Sequence, residues 1–461
     1  MTHARTRRVG LVSDHWVVGD HWVIGDHWVI GDRWVIGDHW VIGDHYSLPI
    51  PATADALRDG GEVFLTNAFR AFGALGGDNR VVRIDRCEEL AGGSTGRKLL
   101  LDVAYADPQP DLRTDLFVKF SRDFDDPVRD RGRTQMAPEV VFAALARAPG
   151  FPIAVPHPRF ADYHADSGTG ILITDRITFG DNGIERQYHK CLDEDMPRPQ
   201  EHYRALVTAV ARLAGTHRSG ELPTELSAAF PVDLRAATVG EPVVMSPDRL
   251  QRRLSRLGEF AESHPGLLPA HVRFLEFLAC LGDEAHEVLS REEQIWRSLR
   301  DAEDHIALCR WNANVDNAWF WRDGGDVLHC GLMDWGCVSR MNVAMALWGA
   351  LSGAETALWN NHFEDLLALF CRETEAAGGP RPDPEMLERH VLLYMALMGI
   401  TWLLDVPARI HHRLPDADAS TTRSDPRIRD DEGLRAPLQM LTNVLNVWQT
   451  RGLGRHLAAL D

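Results

Sequence analysis

The order of its hydrophobic patterns constrains this chain more than any single residue does. Between Ile50 and Asp175 the patterns are mostly those of strands, and after Arg176 helical patterns dominate. Arg80–Ile84, Lys98–Val103, Asp115–Phe120 and Gly170–Asp175 are short, apolar and bounded by polar residues, which predicts strands. Thr53–Leu75 has helical spacing, with a break predicted near Gly60-Gly61. Ala137–Leu145 has the same spacing and carries Pro138 in its first turn, where a missing N–H costs nothing. Further helices are predicted over Ala205–His217, Met341–Leu351, Glu385–Leu404 and Leu434–Val447, and residues 415–433, rich in Asp, Arg, Ser and Pro, predict a surface loop. Strands first and helices afterwards are the signature of an α+β fold. At 461 residues the chain is long for one compact domain, so a β-rich N-lobe over 50–175 and a larger helical C-lobe over 176–461 are expected.

Ahead of these lies a repeat. Residues 15–44 hold five near-identical hexapeptides, from His15-Trp16-Val17-Val18-Gly19-Asp20 to His39-Trp40-Val41-Ile42-Gly43-Asp44. A β-helix is a poor reading, because five copies make fewer than two turns. A metal site from recurring His and Asp is a second reading. Near-identity points instead to tandem duplication of a short unit, with the last copy as the original that leads into the folded chain. Residues 1–46 are therefore expected to be a flexible N-terminal extension.

A net charge of −18 argues against an extended nucleic-acid surface, which needs clustered Lys and Arg. No run of eighteen apolar residues occurs, so a bilayer-spanning helix is not expected, and neither is a secretory signal. Cys87, Cys191, Cys280, Cys309, Cys330, Cys337 and Cys371 are scattered and form no Cys-x-x-Cys pair, which suits reduced thiols in a cytoplasmic protein.

Four segments carry candidate chemistry. Gly92, Gly93 and Ser94 lie between two predicted strands, where backbone N–H groups can approach phosphates; an ordinary hairpin turn is the competing reading. Ala91 and Arg97 exclude a Walker loop. Lys119 sits inside an apolar strand, where an ammonium is costly unless paired, and Glu139 lies at the start of the Pro138 helix. The alternative is an edge-strand lysine reaching solvent, with Glu139 as a helix-start acid favoured by the dipole. Arg310-Trp311-Asn312-Ala313-Asn314-Val315-Asp316-Asn317 is followed, across a predicted hairpin, by Met333-Asp334-Trp335-Gly336. An Asn and an Asp at that separation offer the hard oxygen ligands magnesium prefers.

In order and spacing these segments resemble the superfamily of aminoglycoside phosphotransferases, choline kinases and ecdysteroid-kinase-like proteins, over roughly Ala74 to Leu404. The resemblance implies a bilobal protein-kinase-like fold, ATP and Mg²⁺ as cofactors, and a small-molecule hydroxyl as acceptor. It gives nucleotide phosphates to Gly92, Gly93, Ser94 and Lys119, the lysine being held by Glu139, and it gives Mg²⁺ to Asn317 and Asp334. Ile171–Arg176 corresponds to the linker whose backbone meets the adenine. His217 matches a family histidine with a packing role, while His411-His412 read as solvated. The departure is specific: the family opens its loop His-Gly-Asp, and this chain has Arg310-Trp311-Asn312. Asn312 can orient a hydroxyl but cannot accept its proton, which leaves Asp316 as a substitute base and Arg310 as a direct phosphate ligand. An ATP-dependent phosphotransferase, slow or degenerate, is the first expectation. A pseudokinase-like nucleotide- or ligand-binding protein is the second, and a scaffold built on the Trp-rich repeats is the third. Neither nucleic acid nor membrane is an expected partner, and acceptor choice is expected to lie in residues 178–200 and 240–300.

Overall fold

The structure is a computed structural model that describes residues 39–90, 96–122, 136–237 and 244–460. These residues form two compact units: one runs to Arg147 and takes in Pro156–Arg176, and the other comprises Ala148–Val155 and Ile177 onward. The class is α+β, sheet-rich first and helical afterwards, as the pattern order predicts.

The first unit is built on an antiparallel five-stranded sheet. In chain order its strands are β3 (Val81–Leu90), β4 (Lys98–Tyr105), β5 (Asp115–Phe120), β6 (Pro158–His164) and β7 (Thr169–Asp175), and across the sheet they run β3-β4-β5-β7-β6. Along β4 the alternation is strict: Leu99, Leu101, Val103 and Tyr105 are buried, and the residues between them face outward. Helix α1 (Ala54–Ala71) starts at Thr53, whose hydroxyl accepts the Ala56 N–H, and packs on β3. Its predicted break is real, since Gly61 takes φ +53°, a conformation glycine adopts at little cost. Helix α2 (Met136–Leu145) packs on β6 and β7.

The pattern reading missed β6. Its inward positions include Arg159, Asp162 and His164, which spoil an apolar signature yet are buried with partners. Arg159 pairs with Asp175 at 2.6 Å, and Asp162 accepts the N–H groups of His45, Tyr46 and Tyr163. Asp162 thus ties the last hexapeptide to the sheet. Residues 40–42 form β1 (Trp40–Ile42), paired with β2 (Pro49–Pro51), with Trp40 and Val41 buried. The sequence reading draws the flexible extension to residue 46; the structure packs its last copy into the first unit, because that copy fills an apolar socket.

The second unit is helical around two short antiparallel strand pairs. Helices α3 (Pro199–Ser219), α4 (Val343–Leu351), α5 (Thr356–Ala376), α6 (Pro384–Thr401) and α7 (Glu432–Arg451) supply its core. Strand β8 (Ile306–Arg310) pairs with β11 (Val338–Asn342), and the connection between them holds the hairpin of β9 (Ala318–Arg322) and β10 (Leu328–Leu332). Among the described residues one helical stretch, Pro384–Arg413, is long and apolar enough to cross a membrane, and 72% of its apolar window is buried inside the protein. Its composition reflects a central packing role: Leu387, Val391, Leu392, Leu393 and Tyr394 have no exposed surface.

Every residue of α4 is buried. At Gly349 the helix lies so close to the chain that a Cβ would stand 1.5 Å from the Trp311 carbonyl oxygen, a backbone atom that cannot swing away. The helix therefore fixes the loop after β8. Gly349→Ala should cost about 1–3 kcal/mol through overpacking. Urea denaturation checks this, and an unchanged midpoint would mean that the loop is not clamped by α4.

Candidate functional site

In the first unit Lys119 occupies β5, flanked by β4 on one side and β7 on the other, so it is not an edge-strand lysine. Its Nζ stands 2.7 Å from Glu139 Oε2, and both side chains are 3% exposed. The strand supplies the lysine and the first turn of α2 supplies the carboxylate, so the two expected partners do meet. Next to them Gly96 has φ +135°, and a Cβ there would lie 1.9 Å from the Phe120 carbonyl oxygen. Only glycine lets the chain entering β4 lie against the strand that carries Lys119. Gly92, Gly93 and Ser94 lie outside the described residues. Ile171–Asp175 is strand β7 itself, and Arg176 just beyond pairs with Asp102 at 3.1 Å.

In the second unit the register of the β9/β10 hairpin brings the distant Asn and Asp together. Ala318 faces Leu332, so Asn317 and Met333 are the next pair at its open end, and the Met333 N–H donates to the Asn317 carbonyl at 3.0 Å. Asp334 follows with φ +63°, left-handed backbone that non-glycine residues rarely adopt. Strain of this kind persists where surrounding structure enforces it and is common at functional sites.

The loop from Trp311 to Asn317 is held by its own amides. Asn314 Nδ2 donates to Asn312 Oδ1 at 2.8 Å, and Asn317 Nδ2 donates to the Asn312 carbonyl at 3.1 Å. The Asn317 side chain thus spends its donors on the loop and keeps its amide oxygen for other use. Trp311 Nε1 donates to Tyr394 Oη at 2.5 Å, and the Trp311 N–H donates to the Cys337 carbonyl. Asp316 Oδ2 stands 3.6 Å from Lys190 Nζ, while its Oδ1 is buried with no hydrogen-bond partner.

Arg310, offered by the sequence as a phosphate ligand, is 1% exposed, donates from Nη1 to the Asn317 carbonyl at 3.4 Å and lies over the Trp335 ring, contacts that brace the loop from within. His217 ends α3, with burial and the nearby Arg340 and Arg218 pushing its imidazole down to about 4; a neutral packing histidine fits that. His411 and His412 are exposed. All seven cysteines are free thiols.

Sequence reasoning missed Lys190, Tyr394 and Gly349, whose partners in the loop are far away along the chain. It also missed a cavity of about 740 Å³ in the second unit, lined in part by Cys191, Asp193, Glu355, Arg423, Arg429 and Arg435. Gly353 stands between the loop and the cavity wall: a Cβ there would touch Asn314 Oδ1 at 3.1 Å and Cys191 Sγ at 3.2 Å. Arg435 Nε donates to the Lys190 carbonyl, so a residue of the cavity wall is hydrogen-bonded to the partner of Asp316. Asp193 accepts the Tyr203 hydroxyl at 2.9 Å and the Glu355 N–H at 2.8 Å, which joins α3 to the start of α5.

No family model and no curated protein match this chain. Solved structures similar to it include the GDP complex of wild-type aminoglycoside 2'-phosphotransferase-IIIa, at 16% identity and a TM-score of 0.37, covering 78% of this chain and 94% of that one. Another is the choline kinase from Cryptosporidium parvum Iowa II, at 8% identity and 0.42, covering 82% and 93%. A third is the microcompartment-associated aminopropanol kinase, at 10% identity and 0.37, covering 84% and 98%. The chain's own elements give an α+β fold: an antiparallel sheet whose central lysine pairs with a helix glutamate, then a helical unit that carries the loop and the aspartate beside its short antiparallel strand pairs.

Among the described residues no cluster of three His, Cys, Asp or Glu side chains gathers as a ready metal site. Asn317 and Asp334 can supply two hard oxygens, a partial set that suits a cation also held by phosphate.

Burial pushes the Asp193 carboxyl from 3.8 up to about 7. Because the folded pKa is raised, the stability from this group is full below pH 4 and declines as the pH rises towards 7. The wild-type melting temperature, taken relative to that of Asp193→Asn, should therefore fall between pH 4 and 7 and level off above. A constant difference across that range would show that Asp193 titrates normally.

Proposed function

We propose that this chain is an ATP-dependent phosphotransferase acting on a small-molecule hydroxyl. The observation that carries the reading is the buried Lys119–Glu139 pair on a central strand. As a stabilising device it makes little sense, since apolar residues of the same volume usually do as well or better. As a device that holds an ammonium in one place for phosphate oxygens, it does. In this reading Lys119 binds nucleotide phosphates and Glu139 orients it, with Gly92, Gly93 and Ser94 offering backbone N–H groups.

Asn317 and Asp334 are proposed to hold Mg²⁺, and their chemistry fits it: a carboxylate and an amide oxygen at the open end of one hairpin. When bound there, the metal supplies charge neutralisation on phosphate oxygens. Asn312 is proposed to orient the acceptor hydroxyl, and Asp316, held by Lys190, is the remaining carboxylate in the loop to take its proton. The cavity beside the loop is proposed as the acceptor site; it draws on residues 191–200, inside one of the two segments expected to set acceptor choice. The protein is proposed to work in the cytoplasm.

A second reading, a nucleotide-binding protein without transfer activity, is supported by Asn312. Its side-chain oxygen already accepts from Asn314, so the residue at the base position is both non-basic and engaged.

Thermal unfolding with ATP, with and without Mg²⁺, separates these readings from a protein that binds no nucleotide. Magnesium-dependent stabilisation that disappears in Asp334→Ala is expected; no nucleotide effect in either protein would sink both readings. Asn312→Asp should raise turnover by up to about 10²–10⁴-fold where the missing base limits the rate, and Asp316→Ala should abolish transfer while leaving nucleotide affinity intact.

The ion pair provides its own control. Lys119→Met alone should cost about 3–5 kcal/mol by stranding a buried carboxylate, and Lys119→Met with Glu139→Leu should recover most of that. Both proteins should lose ATP-dependent stabilisation. A well-folded double variant that binds ATP like the wild type would remove Lys119 from the site.

A further inference from the structure

The last hexapeptide is recognised side chain by side chain. Trp40 meets Phe64 edge-on at 5.7 Å and lies over Gly60, where a Cβ would stand 2.5 Å from the indole. Val41 has no exposed surface. At Gly43 a Cβ would come within 2.1 Å of the Asp162 carboxylate, so only glycine fits. Asp44 Oδ2 accepts the Ala165 N–H at 2.8 Å, and the Asp44 N–H donates to the Tyr163 carbonyl at 2.8 Å. The remaining contacts use backbone: Asp162 accepts the N–H groups of residues 45 and 46, and the His39 carbonyl accepts the Ala52 N–H.

The side chains at Trp40, Val41, Gly43 and Asp44 recur in every upstream copy, at six-residue intervals. The nearest copy has Trp34, Val35, Gly37 and Asp38 in those places. Arg33 replaces His39 there, at an exposed position that bonds through its carbonyl and so tolerates the change. In that shifted register His39 and Trp40 would present the two N–H groups to Asp162.

We infer that the socket formed by Gly60, Phe64, Asp162 and Tyr163 is a recognition site for the hexapeptide itself, and that upstream copies of the same chain occupy it by register exchange in steps of six. The last copy is preferred for two reasons. Tyr46 packs against Phe72 and Phe160, where a shifted register would force in an indole. Exchange also lengthens the connection to β2 by six residues, though closure entropy grows only with the logarithm of loop length. A copy on the same chain outcompetes one on another molecule, because tethering gives it a high effective concentration. The repeat array is thus a set of interchangeable first strands, and damage to one copy is covered by the next.

Three full-length variants test this by thermal unfolding: Gly43→Val; Gly19→Val, Gly25→Val, Gly31→Val and Gly37→Val together; and all five. The first two should melt within about 2 °C of wild type and the third about 5 °C or more below it. In Gly43→Val, slow amide hydrogen exchange should move from residues 41–44 to an upstream copy. The inference fails if Gly43→Val melts as low as the five-fold variant, or if the five-fold variant melts like the wild type. It also fails if the solution mass of Gly43→Val rises with concentration, since the socket would then be filled by a second molecule. Should the five-fold variant not fold, hydrogen exchange in Gly43→Val decides: protection at an upstream copy supports exchange, and loss at every copy overturns it.

Discussion

An ammonium and a carboxylate 2.7 Å apart with almost no access to water set the terms for the first unit. Neither charge is tolerable alone there, so the strand and the helix that carry them must be placed together or not at all. Lys119 can be buried because β5 has strands on both sides, and those strands saturate its backbone while apolar neighbours cover its stem. Glu139 reaches it because α2 packs across β6 and β7. Even Gly96 serves the arrangement, since a side chain there would push the entry of β4 off the carbonyl of the residue after Lys119. Sheet order, helix position and one glycine all follow from holding one ion pair in place.

The second unit solves a different problem, the rigidity of a loop whose regular structure is a single 3-10 turn over Val315–Asn317. Residues 311–317 carry many backbone polar groups and little apolar surface of their own, so they need partners from elsewhere. Tyr394 in the buried helix α6 takes the Trp311 indole, Arg310 takes the Asn317 carbonyl from beneath, and Gly349 lets α4 lie directly on the loop backbone. The identity of residue 312 bears on this network as well as on the chemistry. A carboxylate in that place would accept from Asn314 equally well and remain basic; the amide accepts and is inert. The loop's shape rests on hydrogen bonds that need no base at residue 312, which is why the proposed binding roles of Asn317 and Asp334 stand apart from the question of turnover.

Legibility along the chain tracked the distance between partners. Lys119 could be seen to need a partner, because it is a charge inside an apolar strand, and the family resemblance pointed to Glu139 as that partner. Asn317 and Asp334 could be paired because a hairpin joins them. Strand β6 escaped, since Arg159, Asp162 and His164 disguise it as a polar loop until their partners are known. Lys190 and Tyr394 escaped for the same reason: nothing near them in the chain indicates Asp316 or Trp311.

The sequence by itself determined the α+β class, the break in α1, the strands around Lys119 and the spacing of the loop from Asp334, because each follows from side-chain periodicity or from the conformational demands of glycine and proline within a few residues. Tertiary structure alone decided that Lys119 lies on a central strand, that Arg310 is an internal brace, and that the final hexapeptide belongs to the folded unit. Those outcomes depend on which distant groups satisfy a buried charge or fill an apolar socket, and local pattern carries no information about partners brought together only by packing.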